Sequence, residues 1–508
     1  MGLKRIFLIN GQDSLIESGG VKMTVTTKEI QKNYINGKWE ESKTGLSMES
    51  INPSTGEVVG RSQKSGLDDI TYAIDSASAA FKQEDWGYHS LKRADGLMKW
   101  AMRLEEKKEE IARILTLENG KTIKESRIEI SACIDTLKYF SGMARSLFGR
   151  SINLSETSYG IIDKSPIGVV AIISPWNWPA LLMIREAAPA LAAGNAVILK
   201  PASRTPLTSL AMVKCLEGIQ EFPNGIVNLV SGPGALIGDE LTVNGKVDAI
   251  SFTGDTVTGK ALMKKAADKV KKLALELGGK SPNILFADAD LNKAIPTITN
   301  SIFITAGQMC FAGTRVIVHE SIQEEVIAQL KEEAEKLVVG NGLDEKTDMG
   351  PVISESQLNE IIEYIEIGKK DAELITGGYR LTGGEYDKGY FIAPTIFNNV
   401  PMESRVAQEE IFGPVLAVQG FKDEKEAIAL ANGTIFGLAA GVWTKDINKA
   451  IRVSKKVDAG TVWINTYNKN YPQTEFGGYK ESGLGRTRGI EGLMEYTETK
   501  HINIDFEE

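Results

Sequence analysis

Between residues 69 and 148, apolar residues recur every three or four positions, through Leu97, Trp100, Ala101 and Leu104, with charges between them. This spacing predicts amphipathic helices, and the charge run Glu105 to Glu110 reads as a solvated helix face. From residue 168 the rhythm changes. An apolar run, Gly168 to Ile173, gives way after Pro175 to a helical stretch reaching Ala193. Ala196 to Leu199 is a strand candidate and Pro206 to Gln220 a helix; Ile226 to Val230, Val247 to Phe252 and Lys272 to Leu277 continue the alternation. Continuous apolar runs separated by helices predict parallel strands covered on both faces, hence a doubly wound α/β domain.

The alternation resumes after residue 281. Ile284 to Phe286, Val316 to Val318, Val415 to Val418 and Thr461 to Ile464 are strand candidates, with helices over Glu324 to Leu337 and Gln357 to Lys370. A second α/β domain is therefore expected. No period of 20–50 residues repeats, which excludes a solenoid.

Composition narrows the function classes. The chain has 508 residues, is 42% hydrophobic and 25% charged, and carries a net charge of −9. That balance fits a globular protein and argues against a broad nucleic-acid surface. Three cysteines make no disulfide framework and suggest a reducing compartment, so a cytoplasmic location is expected. No apolar run is long enough to cross a bilayer, and no membrane partner or metal site is expected. Residues 1–22 read as a loose extension, with Met23 an alternative start.

In a doubly wound sheet, ligands bind beyond the carboxyl ends of strands. Five consecutive predicted ends carry glycine, proline or polar groups: Pro175-Trp176-Asn177-Trp178-Pro179, Lys200-Pro201-Ala202-Ser203, Gly232-Pro233-Gly234, Thr253-Gly254-Asp255 and Glu276-Leu277-Gly278-Gly279. Any one alone reads as a turn; together they suggest one crevice sized for a dinucleotide, although the usual Rossmann glycine fingerprint is absent. Cys310, in Gly307-Gln308-Met309-Cys310, lies between a helical stretch and a strand, where a thiol is poorly placed for core packing. It is the candidate nucleophile. Cys133 and Cys215 sit among apolar residues of helical stretches and read as inert.

These motifs resemble those of the aldehyde dehydrogenase superfamily. Glu276 to Asn283 resembles its glutamate signature and Gly307 to Cys310 with Arg315 its cysteine signature. Pro175-Trp176-Asn177, Lys200-Pro201, Phe252-Thr253-Gly254, Glu410 to Pro414 and Phe476 to Lys480 follow in the family's order, and the resemblance spans about 33–503. It implies a cofactor-binding domain over 23–147 and 167–278, and a catalytic domain over 279–481. A small β-structured bridging region over 148–166 and 489–505 would support a homodimer or homotetramer. It further implies attack by Cys310, oxyanion support by Asn177 and proton handling by Glu276. Lys200 and Glu410 would hold the two ribose groups of the cofactor, and Phe412 would pack near the nicotinamide. Ile173, Ser174, Pro175, Trp176, Gly234, Phe252, Thr253, Gly254, Leu277 and Gly278 would line the cofactor cleft, and Trp178, Arg185 and Phe476 the substrate tunnel.

Three positions refine the expectation. Many NAD-preferring members have a glutamate where this chain has Ser203, followed by Arg204. A serine tolerates a 2′-phosphate, so NADP is expected to be preferred, with NAD possible. Asp255 stands near the expected pyrophosphate and is expected to cap the helix Thr256 to Lys265. Arg185 resembles the arginine of semialdehyde dehydrogenases, where betaine aldehyde enzymes usually carry an aromatic residue. It points to a carboxylate-bearing aldehyde of the succinate- or 2-oxoglutarate-semialdehyde type, with a salt bridge to a neighbouring acid as the plainer role. The segment around Phe476 looks more like betaine-type or general enzymes. Broad-specificity or glyceraldehyde-type oxidation therefore stays open, as do a coenzyme A-acylating, an esterase or a structural role on the same fold.

Overall fold

Five fully or nearly fully buried strands form the centre of the first domain: β1 (Val169–Ile173), β2 (Ala196–Lys200), β3 (Val227–Leu229), β4 (Ala249–Thr253) and β5 (Lys272–Glu276). The computed structural model describes residues 29–83 and 85–506, so the expected extension 1–22 lies outside the described residues. All four pairings among these strands are parallel, in the order β5-β4-β1-β2-β3. The chain runs from β1 outward to β3, then returns to the other side of β1 for β4 and β5. This reversal opens a crevice between the carboxyl ends of β1 and β4. Register sharpens the picture: Ile173 pairs with Lys200 on one side and Phe252 on the other, and Thr253 pairs with Glu276. The four strand ends that carry candidate chemistry thus stand in one row, spaced by the roughly 4.8 Å between neighbouring strands.

The region 69–148 resolves into four helices, Leu67–Gln83, Ser90–Glu106, Lys108–Asn119 and Ile123–Met143. The helix expected to reach Gln220 stops at Lys214, because the chain turns through Gly218 at φ +77°. An N-terminal hairpin, Asn33–Ile35 and Lys38–Glu40, extends the first sheet beyond β3.

The second domain holds six parallel strands, β6 (Pro282–Leu285), β7 (Arg315–His319), β8 (Thr395–Asn398), β9 (Val415–Phe421), β10 (Ala439–Trp443) and β11 (Thr461–Ile464). They lie in the order β8-β9-β7-β6-β10-β11, with Glu373–Thr376 antiparallel at the β8 edge. β8 and β10 were not apparent from the pattern. β10 is rich in small residues because Asn283 crowds it: a Cβ on Gly441 would stand 2.3 Å from Asn283 Oδ1. The chain then returns to the first domain. Tyr479–Lys480 pairs with Phe436–Gly437, and Gly483–Leu484 pairs antiparallel with β5, setting Gly483 opposite Glu276.

A third, three-stranded sheet comprises Arg150–Asn153, Ser158–Pro166 and Thr497–Asp505. The expected bridging region is therefore β-structured except at Gly489–Met494, which is a helix. Its first turn is capped by Glu475, which accepts from the backbone N–H of Ile490.

One buried contact sets the start of the helix Pro179–Ala193, which follows Asn177 and carries Arg185. Glu129 accepts from the N–H groups of Ala180 and Leu181, while its other oxygen takes the Lys121 ammonium at 2.5 Å. Both side chains of this ion pair are fully buried. Removing one partner of such a pair costs about 3–5 kcal/mol, whereas apolar replacement of both is far milder. Glu129→Ala is therefore expected to lower the thermal midpoint sharply, and Lys121→Met/Glu129→Leu to recover part of the loss. A melting series on the three proteins checks this.

Candidate active site

The loop that carries Cys310 starts with an unusual backbone. After the helix Leu291–Phe303, Thr305, Ala306 and Gly307 are all left-handed, at φ +51°, +52° and +72°. The first two conformations cost roughly 1–3 kcal/mol each for residues other than glycine. Glu125 offsets this cost: its Oε1 accepts from the Thr305 N–H, and its Oε2 closes a capping box with Thr122. At Gly307 only glycine fits, since a Cβ would stand 2.1 Å from the Gly413 carbonyl oxygen. Gln308 then anchors the loop twice. Its side-chain oxygen accepts from Ile353 N–H at 2.9 Å, and its carbonyl accepts from Asn177 Nδ2 at 3.0 Å. The turn delivers Cys310 to the wall of a cavity of about 370 Å³, shared with Asn177, Trp178, Arg185, Phe311 and Arg488. Cys310 is partly exposed, whereas Cys133 and Cys215 are buried, as expected.

Glu276 ends β5 and is 4% exposed. Neither of its carboxyl oxygens has a hydrogen-bond partner among the described residues, and Arg185 Nη1 lies 3.9 Å from one of them. Burial pushes its pKa up to about 8, against the pull of the Arg185 charge. Burial also pushes the Cys310 thiol up to about 12, with Arg185 again opposing. The arrangement is a neutral thiol near a carboxyl group whose pKa suits general-base work close to neutral pH.

Arg185 lines the cavity, but much of its guanidinium is already engaged. Nε donates to Glu186 Oε1 at 2.8 Å and Nη2 to Thr253 Oγ1 at 3.1 Å. Glu186 is held in turn by the Tyr496 hydroxyl at 2.7 Å. The plainer role named for Arg185, a salt bridge to a neighbouring acid, is realised. Trp178 lines the cavity as expected. Phe476 does not: it is 1% exposed and lies behind the wall, its ring centroid 5.3 Å from the Arg488 guanidinium carbon and 6.0 Å from that of Arg185. Arg488 and Asn470 were missed by sequence reasoning. The signal was there in Gly485-Arg486-Thr487-Arg488-Gly489, an arginine inside a glycine-bounded turn.

The expected cofactor residues gather along the row of strand ends. Lys200 is buried at the end of β2, its ammonium donating to the Pro201 carbonyl at 2.9 Å, and burial lowers its pKa to about 8. Ser203 donates to the Gly232 carbonyl at 2.9 Å, and Arg204 to Ser356 Oγ at 3.0 Å. Asp255 caps its helix by accepting from Thr258 N–H at 2.8 Å. Glu410 accepts from Gly279 N–H at 3.2 Å, and the close approach requires glycine next door, because a Cβ on Gly278 would stand 2.1 Å from Glu410 Oε2. Phe412, left-handed at φ +54°, meets Trp176 edge-on at 5.2 Å between centroids.

Two observations fit this groove to a dinucleotide. A Cβ on Gly234, at the N-terminus of the helix Gly234–Val243, would meet nothing within 4 Å, which leaves a helix N-terminus open to a phosphate. The Ser174 hydroxyl is buried with no hydrogen-bond partner among the described residues.

The family model described as "Aldehyde dehydrogenase family" matches residues 39–502. The chain belongs to the aldehyde dehydrogenase family. It is 43% identical over 475 residues to the betaine aldehyde dehydrogenase of Bacillus subtilis (strain 168), covering 93% of this chain and 97% of that one. It is 41% identical over 474 residues to an aldehyde dehydrogenase of Davidiella tassiana, covering 93% and 94%. Among solved structures, betaine aldehyde dehydrogenase of Staphylococcus aureus, a point mutant in complex with NAD+ and with a BME-modified cysteine, superposes with a TM-score of 0.92. It is 40% identical, with 94% of this chain and 97% of that one covered. An NAD-dependent aldehyde dehydrogenase from Sinorhizobium meliloti gives 0.92 at 36% identity, covering 94% and 95%. This aldehyde dehydrogenase is thus an oxidoreductase acting on aldehydes. The semialdehyde specificity expected from Arg185 has no namesake among these relatives.

The position of Glu276 makes a pH prediction. Its base form exists only above its raised pKa, so kcat/KM should fall about tenfold per unit as pH drops below 8. A pH–rate profile checks this, and Glu276→Gln should abolish the rising limb.

Proposed function

We propose that this chain oxidises a small polar or carboxylate-bearing aldehyde to its acid, with NADP or NAD, through a covalent adduct on Cys310. The observation that supports the reading is that Cys310 and Asn177 line one cavity with Arg185, whose Nη1 lies 3.9 Å from the carboxyl of Glu276, itself without a hydrogen-bond partner among the described residues. In this mechanism the Cys310 sulfur bonds to the aldehyde carbon and its proton passes to Glu276. Negative charge gathers on the former carbonyl oxygen. The Asn177 amide, held by Gln308 beside the cysteine loop, and the Cys310 N–H stabilise that charge; one such donor is worth about 3–4 kcal/mol in the transition state. A bound nicotinamide would supply the hydride acceptor through which the adduct on Cys310 becomes a thioester. Glu276 releases to bulk solvent the proton it took from the thiol, then takes a proton from the water that attacks the thioester carbon. Collapse breaks the C–S bond, the leaving Cys310 thiolate takes the proton held on Glu276, and the acid is released.

Lys200 and Glu410 are proposed to hold the two ribose groups, with Phe412 and Trp176 against the nicotinamide. The absence of a carboxylate at Ser203 supports a preference for NADP, since no negative group opposes a 2′-phosphate there. Two open-edged strands, Arg150–Asn153 and Thr497–Asp505, with Ile152, Ile502 and Ile504 exposed, support a homodimer or homotetramer.

Mixing the enzyme with aldehyde and NADP should give a burst of NADPH that Cys310→Ala abolishes. The ratio of kcat/KM for NADP over NAD should exceed one and fall below one in Ser203→Glu. An efficiency with NAD well above that with NADP in the unmodified enzyme would sink the cofactor preference.

A further inference from the structure

The cavity in front of Cys310 contains more positive charge than the reaction needs. Arg185 is neutralised by Glu186. At the exposed rim, Asp135 and Lys469 oppose each other in sign. Glu276 is largely protonated near neutral pH because burial raises its pKa to about 8. Arg488 remains. It is 8% exposed, lines the cavity, and forms no ion pair among the described residues. Its Nη1 donates to the neutral amide oxygen of Asn470 at 2.9 Å, which leaves Nε and Nη2 without a protein acceptor among the described residues.

The backbone around Arg488 is built to hold that guanidinium in place. Arg488 itself is left-handed at φ +61° with ψ −179°, a conformation costly for any side chain. Immediately before it, Thr487 exchanges two backbone hydrogen bonds with Phe476, at 2.9 and 2.8 Å. The Phe476 ring then backs the guanidinium at 5.3 Å. A buried cation on a strained, clamped backbone, with donors free on one side, matches the bidentate recognition of a carboxylate.

The aromatic rings beside Lys121 and the two arginines are poorly suited to a cationic substrate. The ring of Trp178 has the Lys121 ammonium 4.0 Å from its centroid, and Phe476 is buried behind the two arginines. No free aromatic face comparable to a quaternary-ammonium cage is left at either position.

We propose that Arg488 anchors a carboxylate at the far end of the aldehyde, making short ω-oxo acids the preferred substrates and disfavouring betaine aldehyde. The subsite rests on the oxidation at Cys310 proposed above. Arg185, committed to Glu186, serves as a secondary positive wall rather than the primary anchor.

The test uses the full-length enzyme with NAD and NADP and matched probes: 4-oxobutanoate against butanal, 5-oxopentanoate against pentanal, and betaine aldehyde. The unmodified enzyme should favour the oxo acid of each pair. Arg488→Gln should lower the oxo-acid-to-alkanal ratio of kcat/KM by about 10- to 100-fold, the range for losing a charged hydrogen-bond partner, chiefly through KM. Arg488→Lys should restore part of that ratio. Should Arg488→Gln fail to fold in a thermal melt, Asn470→Ala, which unclamps the guanidinium, must lower the same ratio. Equal losses for oxo acid and alkanal, an unmoved ratio in Asn470→Ala, or faster turnover of betaine aldehyde than of the oxo acids would overturn the subsite. No NADH or NADPH from any of these aldehydes would instead overturn the oxidation reading, and the subsite with it.

Discussion

A carboxyl group buried without a hydrogen bond is costly to keep ionised, by several kcal/mol, and Glu276 is such a group. The surrounding structure is arranged so that this cost is met by neutralisation rather than by a partner. β5 fixes the backbone of Glu276 in the sheet, Gly483 pairs opposite it, and Arg185 stands close enough to moderate the field without forming a tight salt bridge. A direct hydrogen-bonded pair would lower the pKa and leave a weaker base. The 3.9 Å gap, with Glu186 and Thr253 holding the guanidinium back, is what leaves the carboxyl basic near neutral pH.

The same economy of placement governs Cys310, the proposed nucleophile. The left-handed turn at Thr305 to Gly307 is unfavourable on its own and exists because Glu125, on a helix of the other domain segment, accepts its first N–H. Helix Ile123–Met143 thereby controls both sides of the cavity. Glu125 sets the cysteine loop, and Glu129, one helical turn on, sets the helix that follows Asn177. Residues four apart on one helix face can do this because their side chains emerge side by side.

These features differ in how plainly the sequence shows them. β1 to β5 were legible because strands covered on both faces are continuous apolar runs, and the candidate residues fall at their ends. Cys310, Glu276 and Asn177 were singled out through motif order; Cys310 and Asn177 line one cavity, and Glu276 stands beside Arg185, which lines it too. β10 was hidden because its run of small residues, Ala439, Ala440 and Gly441, has low strand propensity, and at Gly441 the closeness of Asn283 excludes a side chain. A salt bridge for Arg185 was anticipated, but not its partner Glu186, because adjacent helical residues do not normally face each other; Glu186 is also held by Tyr496, 310 residues away. Phe476 was assigned to the tunnel from its motif, but side-chain direction, set by its pairing with Thr487, turns it behind the wall. Arg488 depends on a backbone conformation that residue type alone disfavours.

The bond from Tyr496 to Glu186 has a consequence for biogenesis. Gly483, which pairs with Glu276, and Tyr496 both follow the parallel strands of the two sheets in chain order. A nascent chain can fold most of both sheets while residues 483–496 are still inside the ribosome. It cannot yet hold Glu186, Arg185 or the outer side of β5 in their final arrangement. The pocket is thus completed after both sheets, and a chain truncated before residue 483 carries Cys310 and the row of strand ends without the contacts that set Glu276 and Glu186.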